Sequence, residues 1–223
     1  MTIIRRFEVY KIGLETPPQT LDRFERMFSV VSQYIPQVKE SFLGKNLLDT
    51  EPTHVWEHSF ENWNDFLEVY MPHPYHACVL DRYLGPESPE CIMEMTSKGA
   101  HVYYETGGWK PLLNRGLKRL VLLRVRSQAE QQFTEALEEE AKQIKAQVRG
   151  MKVSYLARDQ SGSIWGWVAW WTHVWEQVFS DEEALKTYLG LDSWVSEQER
   201  DNWKVRPDSP VEDVSITLYW KRH

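Results

Sequence analysis

THVWE stands at Thr53–Glu57 and again at Thr172–Glu176, and each copy is followed by a phenylalanine at the same distance, Phe60 and Phe179. The match extends outward on both sides. Upstream, VKESFLGK (Val38–Lys45) aligns with MKVSYLAR (Met151–Arg158). Downstream, a short helical pattern ends in a tyrosine, Tyr70 or Tyr188, with one residue fewer in the second copy. A collinear series of this length indicates duplication. With only two copies the unit is a whole small domain, since a solenoid needs three or more repeats.

Both copies read as the same order of elements. In the first, Ile3–Ile12 is strand-like, and Thr16 caps a helix with Pro17 and Pro18 in its first turn. Leu21, Phe24, Phe28, Val31 and Ile35 continue at helical spacing until Pro36. Strands are expected at Val38–Leu47 and Thr53–Phe60. Trp63, Phe66, Leu67 and Tyr70 then make an i, i+3, i+4, i+7 stripe. Pro74 opens a short helix through Leu84, and a last strand falls between Cys91 and Glu105. The second copy gives a strand at Leu117–Val125 and a helix at Ala129–Val148, stopped by Arg149-Gly150. Strands follow at Met151–Arg158 and within Ile164–Phe179, then a capping box at Ser180–Glu183 and a closing strand at Val211–Trp220. The order β-α-β-β-α-β predicts an α+β fold of two tandem ferredoxin-like repeats. Residues 1–106 and 117–223 form the repeats, joined by a linker at 107–116. Two such sheets stacked face to face would form an intrachain dimeric α/β barrel, either as a pseudo-dimeric monomer or as a homodimer of it.

A net charge of -7 over 223 residues argues against a nucleic-acid partner, because phosphates demand a basic surface. Lys118, Arg119, Arg124 and Arg126 read as solvated strand residues. MTIIRRFEVYK at the N-terminus lacks the apolar run of a signal peptide, and no window approaches about 18 apolar residues, so neither secretion nor a membrane partner is expected. Cys78 and Cys91 form no CxxC pair, which speaks against a disulfide framework and a cysteine-rich zinc site. These features predict a soluble, cytoplasmic protein. Eleven tryptophans, five of them between Trp165 and Trp175, suit either a heavy core or a cavity for a small hydrophobic or aromatic ligand.

YMPHPYH, Tyr70–His76, concentrates chemistry-bearing side chains. An imidazole titrates near neutrality and can take and return a proton, so His76 is a candidate general base. His73 and His76 are spaced i, i+3, and His54 and His58 lie on one face of a strand. No HExxH or cysteine cluster supplies the three-ligand frame of a catalytic zinc, so no metal is expected. The aligned stretch of the second copy is YLGLDSW, Tyr188–Trp194: the tyrosine stays, and Leu191 and Trp194 replace the histidines. The corner is therefore buildable without histidine, which points to one functional site in the first repeat and a degenerate second. His54 and His173, present in both copies, read as packing at the pseudo-twofold seam. Glu57 and Glu176 read as surface or edge-pairing charges.

The run HVWEHSFENWNDFLEVYMPHPYHACVLDRYL, His54–Leu84, resembles the core of the stress-responsive dimeric α/β-barrel (Dabb) domain family, with HPYH at its His-Pro-x-His junction. Tyr70-Met-Pro-His73-Pro-Tyr75-His76 is similar to the Tyr-x-x-His-Pro-x-His segment of the family's olivetolic acid cyclase-type members. That resemblance implies a cofactor-independent small-molecule enzyme, a cyclase, lyase or isomerase, acting on an aromatic or polyketide-like carbonyl compound. Tyr70 would polarise a carbonyl and His76 would act as general base, with His73, Arg5, Arg6, His54 and Trp56 as substrate-binding residues. The chain departs from those cyclases in its first strand, where Arg5 and Arg6 lie in the region of a further active-site histidine. A non-catalytic stress-responsive ligand-binding protein, and an oxygenase on the same scaffold, are the alternatives.

Overall fold

β1 (Ile3–Ile12) is buried along nearly its whole length, as a central strand covered on both faces must be. It pairs antiparallel with β3 (His54–Phe60) on one side, and β2 (Glu40–Lys45) extends the sheet beyond β3. Along its other edge run β4 (Met93–Glu94) and β5 (Ala100–Thr106), one after the other. The computed structural model describes residues 3–94, 100–106, 116–128, 130–166, 170–190 and 209–221. In the second half β6 (Gly116–Val125) is central, and the sheet order β7-β8-β6-β9 matches β2-β3-β1-β4 of the first. Its other members are β7 (Met151–Arg158), β8 (His173–Phe179) and β9 (Val211–Lys221). Both halves are thus ferredoxin-like, and the fold is α+β.

The chain divides into two compact units, Met1–Lys45 with Thr50–Lys110, and Asn46–Asp49 with Pro111–His223. The short segment Asn46–Asp49 belongs to the second: Leu47 N–H donates to the Leu218 carbonyl at 2.7 Å, and Asn46 Oδ1 accepts from Leu218 N–H at 3.0 Å. The linker and the corner beyond Gly190 fall largely outside the described residues, as do Leu191 and Trp194.

Duplication is visible in the hydrogen bonds as well as the sequence. Thr53 Oγ1 accepts from Ile12 N–H at 2.9 Å, and Thr172 Oγ1 from Val125 N–H at 3.0 Å. Trp56 Nε1 donates to Ser41 Oγ and Trp175 Nε1 to Ser154 Oγ, both at 3.0 Å. THVW is therefore a clamp: its threonine ties the strand start to the neighbouring strand, and its tryptophan fills the space under the first helix while keeping its polar edge bonded. In the first unit Phe24 and Phe28 of α1 (Pro18–Ser29) bring that helix onto the sheet, with the Phe28 and Trp56 rings 4.3 Å apart. In the second, Leu137 and Ala141 of α4 (Glu130–Gln147) pack on Val121, Leu123 and Trp175. Full burial of a large apolar side chain contributes roughly 1.5–3 kcal/mol, so these stripes hold each helix to its sheet.

Several local expectations change. Thr16 caps nothing; Pro17 occupies the N-cap position without a side-chain bond, and Val30, at φ -107°, separates α1 from the four-residue α2 (Val31–Tyr34). In α6 (Glu182–Leu189), which follows the short α5 (Ser161–Trp165), the cap is Asp181, whose Oδ1 accepts from Ala184 N–H at 2.9 Å, instead of Ser180. Gly190 closes that helix at φ +65°, a left-handed conformation that glycine adopts without strain. Lys118 and Arg119 are not solvated: both are buried, Lys118 bonding Glu176 at 2.9 Å and Arg119 bonding Gln177 at 2.6 Å. Glu57 and Glu176 are likewise buried ion-pair partners, Glu57 of Arg5 and Glu176 of Lys118.

The stripe ending at Tyr70 is not an α-helix. Asp65–Tyr70 is a π-helix, closed by a Met71 N–H to Phe66 carbonyl bond of 3.0 Å, and a second π-helix, Tyr75–Leu80, runs into α3 (Asp81–Leu84). Its counterpart in the second unit, α6, is a regular α-helix. The additional residue between Phe60 and Tyr70, relative to Phe179 and Tyr188, is accommodated by the wider turn.

Candidate functional site

Strand pleating sorts the candidate residues before any chemistry is considered. Successive side chains alternate between faces, and residues paired directly across a ladder share one. Ile4, Arg6, Glu8 and Tyr10 of β1 therefore share the helix-covered face with Phe60, His58, Trp56 and His54 of β3. Tyr103 and His101 of β5 pair with Arg6 and Glu8 on the same face. Arg5 points the other way, where Glu40 and Glu57 each hold it at 3.3 Å. The two adjacent arginines thus lie on opposite sides of the sheet, and only Arg6 joins Tyr70 and His76.

Arg6 is the hub. Its Nη1 donates to the Tyr70 hydroxyl at 2.8 Å and its Nε to the Tyr103 hydroxyl at 3.3 Å, and it pairs with the buried Glu8. The guanidinium lies over the rings of Trp56, Phe66, Tyr70 and Tyr103 at 5.3–5.8 Å, distances at which cation–π attraction helps hold a desolvated charge. Burial opposes the charge, but Tyr70 and Tyr103 outweigh it, so the Arg6 pKa is raised. Tyr70 is fully buried. Burial lifts its phenol well above the usual range despite the opposing pull of Arg6. It is therefore a donor rather than a base: Arg6 occupies an oxygen lone pair, and among the described residues nothing accepts the hydroxyl hydrogen.

His76 sits on the first turn of the second π-helix with its ring centroid 4.4 Å from that of Tyr70. Its Nδ1 is 3.0 Å from the Met71 carbonyl. A carbonyl only accepts, so Nδ1 carries the hydrogen and Nε2 keeps its lone pair. Burial first, then Arg6, lowers its pKa to about 3, with the Met71 bond opposing. Nε2 lies 3.7 Å from Asp81 Oδ1. Asp81 is half exposed, and burial raises its pKa while Arg6 lowers it.

His58 completes the group. It is fully buried between the Trp56 ring at 3.8 Å and the Tyr70 ring at 5.5 Å. Among the described residues neither of its ring nitrogens has a hydrogen-bond partner. Burial, then the Arg6 charge, holds it neutral with a pKa well below the ordinary value. A buried imidazole with a free donor and a free acceptor is costly unless something polar meets it.

Of the predicted site residues, the fold brings together Tyr70, His76, Arg6 and Trp56. His73 serves the corner, its Nδ1 accepting from Tyr75 N–H at 3.1 Å. His54 lies at the far end of the same face, against Phe24 and near Glu25 at 3.9 Å. Its copy His173 contacts Thr134 Oγ1 at 2.8 Å, so each pins the first helix of its own unit to the sheet. Sequence reasoning weighed His58 only beside His54 as a metal ligand, and passed over Glu8, Tyr103 and Asp81 as site residues. His58 had a signal: THVWEHSF becomes THVWEQVF in the second copy, the same loss of histidine that singled out His76. The second unit keeps an arginine and a tyrosine, but Gln177 stands between them, accepting from Arg119 at 2.6 Å and donating to Tyr188 at 3.2 Å.

An open groove of about 590 Å³ is lined by Asp22, Glu25, Arg26, Ser29, Leu43 and Lys45, none of them in the cluster. Among the described residues no group of three or more His, Cys, Asp or Glu is placed to hold a metal ion, and no helix is long and apolar enough to cross a membrane.

The geometry defines a tandem ferredoxin-like protein with one buried polar cluster under the helices of its first unit. Solved structures share this fold over the whole chain. An anthrone oxidase-like protein matches at a TM-score of 0.58 and 9% identity, covering 100% of this chain and 92% of that one. A candidate monooxygenase of Fusobacterium nucleatum matches at 0.57 and 8%, covering 99% and 93%. A chlorite dismutase variant of Candidatus Nitrospira defluvii matches at 0.56 and 8%, covering 99% and 92%. No protein-family model matches the sequence, and no curated protein matches it significantly.

Proposed function

We propose that the first unit is a small-molecule enzyme that works by acid–base chemistry of its own side chains, on an aromatic or polyketide-like carbonyl compound. The carrying observation is the pairing of a hydroxyl donor with an unprotonated imidazole nitrogen. Tyr70 presents a hydrogen that Arg6 polarises, and His76 presents the Nε2 lone pair that the Met71 carbonyl enforces. A carbonyl oxygen accepting from Tyr70 gains acidity at the adjacent carbon, and Nε2 is the group to remove that proton. This is the chemistry of a cyclase, lyase or isomerase that needs no cofactor, and the resemblance of Tyr70–His76 to the Tyr-x-x-His-Pro-x-His segment of dimeric α/β-barrel cyclases supports it.

Two measurements on one panel of flat carbonyl compounds test the reading. Quenching of tryptophan fluorescence that is lost in Trp56→Phe reports occupancy beside Trp56, and product analysis reports turnover. Turnover that disappears in His76→Phe while quenching persists supports the enzyme. Quenching without product in the wild type supports a ligand-binding protein instead.

A further inference from the structure

Hydrogen-bonding capacity is left over in the buried cluster, and it gathers around Arg6. Among the described residues neither ring nitrogen of His58 has a partner, and Glu8 Oε2 accepts no hydrogen bond. Both residues are fully buried. The other Glu8 oxygen is the one that meets Arg6 Nη2, and it stands 3.5 Å from Nδ1 of the half-exposed His101. The Tyr70 hydroxyl adds a hydrogen that nothing there accepts. Polar groups are costly to leave unpaired in an interior, so these atoms outline the complement of a ligand.

One guanidinium fixes the spacing of that complement. Arg6 Nη1 donates to Tyr70 and Nη2 meets Glu8, and a guanidinium is a rigid planar fork. A donor hydroxyl and an acceptor carboxylate are therefore held on neighbouring prongs. His58 lies opposite Arg6 in the strand ladder and, as a neutral imidazole, offers one N–H and one lone pair. The matching ligand has an acceptor oxygen for Tyr70 and, a few bonds along, a group that gives a hydrogen to Glu8 and meets His58. A hydroxyl does this; an ether or a second ketone has no hydrogen to give. Charge separates the hydroxyl from its ionic rivals. Arg6 and Glu8 already neutralise each other, and burial holds His58 neutral. A ligand carboxylate would set its charge against Glu8, and an ammonium would compete with Arg6, each stripped of water.

We propose that Glu8 and His58 are specificity residues that read a hydroxyl on the ligand, so that the site takes neutral hydroxy-carbonyl compounds in preference to simple ketones and to keto acids. The inference rests on the reading that Tyr70 holds a carbonyl oxygen. The second unit lacks both readers. Val121 stands where the first has Glu8, and Gln177 stands where it has His58, with its amide already used on Arg119 and Tyr188.

Titration calorimetry with acetophenone, 3-hydroxyacetophenone, 4-hydroxyacetophenone and 4-acetylbenzoate tests it. The wild type should bind at least one hydroxy isomer about tenfold more tightly than acetophenone, the gain expected of a hydrogen bond to a charged group. It should bind 4-acetylbenzoate no better than acetophenone. The His58 ring ¹⁵N resonances, assigned by their loss in His58→Gln, should move with that hydroxy isomer and so place it at the site. The advantage should largely disappear in Glu8→Gln and in His58→Gln; the second variant decides if the first does not fold, because the second unit already accommodates glutamine there. Equal affinity for acetophenone and both hydroxy isomers overturns the proposal. So does tighter binding of 4-acetylbenzoate, an undiminished advantage in His58→Gln, or no binding by any of the four. The enzyme reading is judged by turnover instead, so hydroxyl preference without product, or product without hydroxyl preference, separates the two.

Discussion

Arg6 reaches the Tyr70 hydroxyl directly at 2.8 Å, whereas its counterpart Arg119 is joined to Tyr188 through the side chain of Gln177. Where the first unit has His58, Glu8 and Tyr103 around its arginine, the second has Gln177, Val121 and Leu218. Among the described residues His58 leaves two ring nitrogens unbonded beside Arg6; Gln177 uses its amide to close the gap.

His58→Gln should therefore rebuild the second unit's clamp in the first. The fold already accepts glutamine there, and satisfying a buried polar site stabilises by about 1 kcal/mol. Urea unfolding should show equal or higher stability, with weakened carbonyl-ligand quenching. A loss of several kcal/mol would show that His58 is needed for packing.

Arg6→Met removes the hub. Glu8 would remain buried without its cation, and breaking one side of a buried pair destabilises by about 3–5 kcal/mol. Lys186→Ala, which breaks an exposed pair with Glu183, should leave stability essentially unchanged. Denaturant titration of both variants measures the contrast.

Tyr70→Phe keeps the ring between Phe66 and His76 but deletes the donor. Turnover should fall by a factor of about 10² or more, in line with the loss of a positioned acid, while fluorescence quenching by flat ligands persists. Unchanged turnover would remove Tyr70 from the mechanism.

Acid should unfold this protein early. Burial is the largest cause holding His54 and His173 to about 4 and His76 to about 3. In the unfolded chain histidine titrates near 6.5. Folded values below unfolded ones mean that folding favours the neutral form. That stabilisation is complete above about pH 6.5 and is lost as pH falls toward 4. The melting temperature should be flat above pH 7 and drop through that window, less steeply in the double variant His54→Gln, His173→Gln.

Much of the architecture was legible because the chain carries its own comparison. Two copies of THVWE located β3 and β8, and alternation at Val214, Ile216, Leu218 and Trp220 located β9. Capping was less legible: Thr16 and Ser180 have suitable side chains, but Pro17 and Asp181 take the cap positions. Burial of charge was hidden as well. Lys118 and Arg119 look solvated in a one-dimensional reading, and only the folded sheet sets Glu176 and Gln177 beside them. Glu8 and Tyr103 lie on strands distant in sequence from the helical corner that carries Tyr70 and His76, so no local spacing could have gathered them. Tyr70 and His76 were recoverable because a proline-bounded corner is compact in sequence.

The one-residue difference between the two copies also bears on how this site can be mapped. It changes the phase of a helix, not the identity of a side chain. An alanine scan would test every residue around the Asp65–Tyr70 turn and leave the turn itself intact. Removing a single residue between Phe60 and Tyr70 is the complementary perturbation: it would restore the spacing of the second unit and turn Tyr70 relative to Arg6 with every functional group still present. In this protein the reading frame of a helix is itself a variable of the site.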